Sequence, residues 1–486
     1  MFETESNISP VGPRSWVLPL ALALTLTTHA RAQAAPDDSA FLARAATTLA
    51  ALGIDKEPAK VDFDADVVAP HALVLRVGAL ELLYPKGHLQ KAQQLGDLKD
   101  AVLSTCDMQR TFCEWMAGGT VPPEVDTTCK AVQAWIKGWR WPATDEALAT
   151  VTPEVAKAQA DFTGAVAKML SRDPSQCRAQ CWLAPTRQNF GDMVCLIGGL
   201  APENRDFLWL DDVVKSSEGW AVRPRVLQIV AMEYGSPKEL GGDTVGMRMD
   251  FRERTGLLQH IVQRTAASLA VMAFGDVLDR NFEAGLSQDL VIALYKENNA
   301  RSGGSGRGGY VGGRSRFVAG GASSGGALGA ISLDSQWRQT KGKDWFQRPL
   351  KQAQRTGAKL KDAKQPKERM GHFALQDDAG RPILALPAPL LGPPETQPSV
   401  PGDFEADFKE MRRAYRSAFV YWLREFAGKG TTDSRQKFGA MMREMAEGAG
   451  KVTFDLAVRR AYGERLSADG PEPPSLEWRF LAWLAK

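Results

Sequence analysis

Two short apolar runs, Ala72–Val77 and Leu80–Tyr84, flank Gly78 and end at Pro85-Lys86-Gly87. That pattern predicts a small β-hairpin, with the proline and glycine as its stop. From Leu89 to about Ile197 the hydrophobic positions fall mostly at helical spacing, and Gly198-Gly199 offers the stop. Within this stretch Val155, Ala158, Phe162, Ala165, Val166 and Leu170 make one stripe along a helix that begins at Pro153. Between about 205 and 255 the period changes to two. Val226–Val230 is a mostly apolar run, and Val245, Met247, Met249 and Phe251 alternate with polar neighbours, as in a strand with one wet face. Gly256–Phe274 then predicts a buried helix, and Asn281–Tyr295 a second one.

The pattern breaks over residues 302–330, which hold twelve glycines with serines and arginines. Such a composition cannot repay its ordering entropy by burial and is expected to be flexible. A basic stretch, Arg338–Arg369, and a proline-rich one, Pro382–Pro401, follow. Helical spacing returns with Phe408, Met411, Tyr415, Phe419, Trp422, Leu423 and Phe426, before Gly428 and Gly430. Helices are expected again over Phe438–Ala449, over Phe454–Tyr462, and over Leu476–Leu484 with Trp478, Leu481 and Trp483.

A chain of 486 residues, 44% hydrophobic, has room for two or three domains. Its 60 basic and 57 acidic residues nearly cancel, so overall charge supplies no case for nucleic acid or an anionic membrane. At the N-terminus, Arg14 precedes an apolar run from Trp16 to Thr28, and Ala30-Arg31-Ala32-Gln33-Ala34 has small residues at signal-peptidase spacing. Residues 1–34 are therefore read as a cleaved secretory signal, although Glu3 and Glu5 are unusual in that position. The run is too short for the roughly twenty residues a membrane span requires, and no later run is long enough. The chain is expected to be exported, periplasmic or extracellular. Its six cysteines, Cys106, Cys113, Cys129, Cys177, Cys181 and Cys195, are then candidates for up to three disulfides of undetermined pairing.

His260-Ile261-Val262-Gln263-Arg264 lies on the first of the two adjoining helices, and Phe282-Glu283-Ala284-Gly285 on the second. With the strands before them and the segments Ala414–Leu423, Ala457–Gly463 and Leu476–Leu484 after them, they resemble the peptidase MA-like gluzincin metallopeptidases, a branch of secreted bacterial proteins. The resemblance covers residues 205–300 and 404–486. In that family two histidines four residues apart and a glutamate on the next helix hold zinc, and a glutamate beside the first histidine is the general base. The resemblance places His260 on the first ligand, Glu283 on the third, Ile261 on the base and Arg264 on the second histidine. Isoleucine cannot take a proton from metal-bound water, and a guanidinium donates only and repels a divalent cation. The chain departs again at Ala284, which separates Glu283 from Gly285. Arg264, one turn from His260, is expected to pair with Glu283 where a metal would sit. Taken singly, the three residues are equally a core histidine, a helix-surface arginine and a solvated acid.

The resulting fold expectation is α+β and mostly helical. It comprises an N-terminal disulfide-containing helical domain over 35–204, a gluzincin-like sheet with site helices over 205–300, an insertion over 301–402, and the C-terminal helical part over 403–486. The leading functional expectation is an exported, catalytically inactive peptidase-like protein with a binding or scaffolding role, holding no metal or cofactor. One alternative is a zinc peptidase with non-standard ligands; another is a cell-envelope-binding protein acting through the basic insertion. The partner would be a protein, a peptide or an envelope ligand. Arg307-Gly308-Gly309-Tyr310 resembles an RNA-binding box, but a single box does not support a specific nucleic-acid partner. Trp135, Trp139 and Trp141 are read as helix-core residues rather than a sugar platform.

Overall fold

A computed structural model describes residues 38–51, 71–200, 219–222, 227–232, 254–275, 278–296, 416–466, 476, 479 and 480. The expected signal, the alternating strand around Val245–Phe251, the 301–402 insertion and most of the final helix lie outside the described residues.

The hairpin forms as its sequence predicts. Strand β1 (Ala72–Val77) pairs antiparallel with β2 (Leu80–Pro85), in a register running from Ala72 opposite Pro85 to Val77 opposite Leu80. Gly78 turns the chain at φ +58°, a conformation that excludes most side chains. The turn is pinned from outside by Gln109, wholly buried on helix α2 (Ala92–Met116). The Ala79 amide donates to Gln109 Oε1 at 2.8 Å, and Gln109 Nε2 donates to the Val77 carbonyl at 2.7 Å. A Cβ on Gly78 would run into this amide and lie 3.0 Å from Phe162 Cε1.

Helix α2 continues into α3 (Pro123–Lys137), α4 (Asp145–Ala149) and α5 (Pro153–Met169). Helices α3 and α5 each begin with proline at the first turn; α4 and α5 are capped by Thr144 and Thr152, whose side chains accept from Ala147 and Val155 amides. The stripe expected on α5 buries Phe162, Ala165 and Val166, and Leu170 just beyond the helix is buried with them.

The sequence pattern misses the next element. Ala179–Ala184, inside the stretch read as helical, is strand β3, buried at every position. A strand covered on both faces has no polar alternation, so its six residues carry no period-two signal. After β3 come α6 (Arg187–Leu200), which runs through Gly198-Gly199, then β4 (Gly219–Val222) and β5 (Leu227–Ala231). The five strands form one mixed sheet in the order β1-β2-β3-β5-β4, with β2, β3 and β5 parallel and both edges antiparallel. Strands from both sides of the boundary expected near residue 204 thus share one sheet. The described residues all belong to one compact unit that begins at Asp38.

Both sheet faces are covered. Leu80, Leu82, Cys181 and Leu183 face the main core with α2 and α7 (Arg254–Phe274), while Leu83, Trp182 and Ile229 are buried outside that core. On that second face α6 packs on β3 and β5 and also against α1 (Asp38–Ala51), and Trp182 Nε1 donates to Asn189 Oδ1 of α6 at 2.9 Å. The main core extends to α8 (Arg280–Tyr295), a helix over 416–425 (α9), α10 (Thr431–Glu447) and α11 (Phe454–Tyr462). Its aromatic seams include Phe112 with Phe274 and a stacked Phe282–Phe454 pair at 4.2 Å.

An α+β, mostly helical architecture with a small mixed sheet is therefore present. The expected disulfides are not formed among the described residues. Cys106, Cys113, Cys129, Cys177 and Cys181 are free thiols, all buried; the side chain of Cys195 is outside the description. The physical reason is their placement as small apolar core groups. Cys106 and Cys113 lie two turns apart on α2, and the Cys129 thiol on α3 reaches the Cys106 carbonyl at 3.7 Å. No described helix is long and apolar enough to cross a membrane.

Candidate functional site

Helix α7 is buried nearly all round because it is wedged between the sheet and the helical core. It packs on β3 and β5, on α2, and on α8. His260 and Ile261 are wholly buried, while Arg264, one turn on, is half-buried. A run of polar side chains shares this burial, among them Gln259, Gln263, Thr265 and Ser268. Thr265 satisfies its hydroxyl on its own helix, donating to the Ile261 carbonyl at 2.8 Å. Such a polar series on an otherwise apolar helix is a costly feature, since each buried group needs a partner.

Arg264 acts electrostatically on β3, on which its helix packs. Burial pushes the Cys181 thiol up to about 12, and the nearby Arg264 guanidinium partly opposes that rise. Cys177, two residues before the strand, is raised to about 11, again chiefly by burial. Neither thiol is poised as a nucleophile at neutral pH, because the reactive form is the thiolate.

Glu283 lies in the first turn of α8, half-buried, where a carboxylate suits the positive end of the helix. Two residues on, Gly285 has a packing role: a Cβ there would come 2.6 Å from the Arg416 carbonyl of the α9 segment. The glycine of the Phe-Glu-Ala-Gly motif thus sets how closely α8 and α9 approach. Among the described residues, no group of three or more His, Cys, Asp or Glu side chains is arranged to hold a metal. The fold brings the helices of His260 and Glu283 together without supplying a third such ligand from those residues.

The sequence pattern also misses a buried ionic cluster beside α8. Arg424 on α9 pairs with Asp289 of α8 at 3.0 Å and with its neighbour Glu425, which pairs in turn with Arg435 of α10 at 2.9 Å. The Arg424 guanidinium lies 4.3 Å over the Trp115 ring of α2. Its ionisation is held below the usual arginine range mainly by burial. Every charge in this cluster has an opposite charge beside it; the ion pairs tie α8, α9 and α10, and the Arg424–Trp115 contact adds α2. Helix-core signals dominate the local sequence, and only the adjacency Arg424-Glu425 within an aromatic stripe hints at it.

Trp135 and Trp139 pack edge to face at 5.2 Å, with Trp139 buried, whereas Trp141 is exposed. Core packing accounts for the first two. Comparison of the chain with models of known protein families, with curated proteins and with solved structures finds no match.

Proposed function

We propose that this chain is an exported, peptidase-like protein that has lost metal-dependent catalysis and serves as a binding or scaffolding protein. The observation that carries this reading is the burial of Ile261. The position that the gluzincin resemblance assigns to the general base is an aliphatic side chain sunk in the main core of α7. No proton acceptor stands there. Arg264 supports the same reading, since a permanent cation stands where a second imidazole ligand would be. In this reading the positive charge of Arg264 replaces that of a metal in stabilising the α7–α8 region, with Glu283 as its counter-charge.

The test is elemental analysis of the whole chain purified without chelator, together with a casein digestion assay. The expected outcome is zinc far below one per chain and no cleavage above that of a Glu283→Gln variant. Stoichiometric zinc that is lost in both His260→Ala and Glu283→Gln would overturn the reading, as would casein cleavage abolished by either change.

A further inference from the structure

Strands β2 and β3 are parallel neighbours, yet the chain leaves their carboxyl ends in opposite directions. After β2 it passes through Lys86 and His88 into α2, on the α7 face of the sheet; after β3 it passes through Thr186 into α6, on the other face. Diverging connections of this kind open a crevice just beyond the strand ends, the place where parallel sheets most often bind ligands.

Such a crevice is present, with a volume of about 380 Å³, within the range of small-molecule sites. Thr47 and Thr48 of α1 close one side, the end of the hairpin a second, and the first turns of α6 a third. The fold brings His71 and His88 together here, although they are seventeen positions apart and form no motif. The Lys86 amide donates to the His71 carbonyl at 3.1 Å, which fixes the hairpin end, and the Lys86 side chain is exposed at the rim. Across the cleft, Asn189 is held by Trp182 and its amide by the Thr186 hydroxyl at 3.1 Å. One acid lines the site, Asp192, and it accepts from Gln188 Nε2 at 2.7 Å. The Thr47 and Thr48 hydroxyls donate to the Ala43 and Asp192 carbonyls, so the basic character of the walls comes from Lys86, His71 and His88 against the one acid, while Pro85 and Met193 supply apolar surface.

We propose that this cleft binds a small phosphate monoester, with Lys86, His71 and His88 directed to the phosphoryl oxygens and Pro85 and Met193 to the organic part. A dianion matches a lysine and two imidazoles better than a carboxylate does, and the cleft is too small for a polymer. The proposal is independent of the state of α7.

The test is isothermal titration calorimetry of the whole chain with phenyl phosphate and with inorganic phosphate, at constant ionic strength made up with chloride. Saturable binding of phenyl phosphate is expected, with inorganic phosphate weaker. Binding should fall at least about tenfold in Lys86→Met and in His88→Asn, and stay unchanged in Lys157→Met, which removes an exposed charge from α5. Lys86 is exposed, so that variant is expected to fold, and its melting curve checks this. Absence of saturable heat overturns the proposal. So does binding that survives both cleft substitutions, or benzoate binding as tightly as phenyl phosphate.

Discussion

Gln109 illustrates how much of this fold depends on single residues that no pattern marks. On α2 its side-chain amide reaches the Gly78-Ala79 turn of the hairpin, accepting from the Ala79 amide and donating to the Val77 carbonyl, with a longer contact to the Thr105 carbonyl of its own helix at 3.4 Å. Replacing it with leucine keeps the volume but leaves two buried backbone groups without that partner. Gln109→Leu is expected to cost about 2–3 kcal/mol, since desolvated groups that lose a partner are penalised in full. Gly78→Ala is expected to cost at least as much, because a strained φ of +58° adds to displacement of the Gln109 amide. Urea denaturation of the two variants checks this, and a change below about 0.5 kcal/mol in either would refute the pinned turn. The hairpin itself was legible in the sequence from its apolar runs and Gly78. The residue that holds it was not, because a glutamine thirty positions away gives no local signal.

At the scale of elements, legibility followed the strength of the local pattern. Helix α11 is plain in the sequence, with Thr453 capping Leu456 and Gly463 in the left-handed region at φ +74° as its stop. Helices α7 and α8 were legible as apolar stretches, and so was β5. Strand β3 was not, since burial on both faces removes the alternation that identifies a strand. The Arg424 cluster was hidden for a related reason: its members come from α8, α9 and α10, and only the fold brings them together. Removing one member should be far worse than its neighbours' exposure suggests. Arg424→Met strips Asp289 of one ion pair and Glu425 of another, with the Asp289 side chain fully buried. A loss of about 3–5 kcal/mol is expected when a fully buried carboxylate loses this ion pair. Arg435→Met, at a half-exposed partner, should cost about 1 kcal/mol or less. Equal losses in the two, read from denaturant midpoints, would show that the cluster is not the tie proposed for these helices.

Whole-molecule organisation bears most directly on the domains expected from sequence. Composition and cysteine placement suggested a self-contained helical domain over 35–204, stapled by disulfides. In the structure β3, from that segment, pairs along its length with β5 from the next, and α2 packs on α7. Phe112 meets Phe274 at 5.9 Å, and Trp115 meets Phe438 at 6.3 Å, so the core of the first segment is completed by residues from the later ones. The free thiols offer no covalent substitute for those contacts. A fragment ending at residue 204 would leave β3 as an open edge and expose Phe112, Trp115 and the inner face of α2, a large apolar patch of the kind that soluble chains avoid. Residues 38–204 expressed alone are therefore expected to bind a hydrophobic dye and to melt without a cooperative transition, whereas the whole chain melts cooperatively. A sharp thermal transition in the fragment, with Trp182 shielded from quencher as burial in the sheet requires, would instead establish an autonomous N-terminal domain. The shared sheet would then be an interface between two folding units rather than a single core.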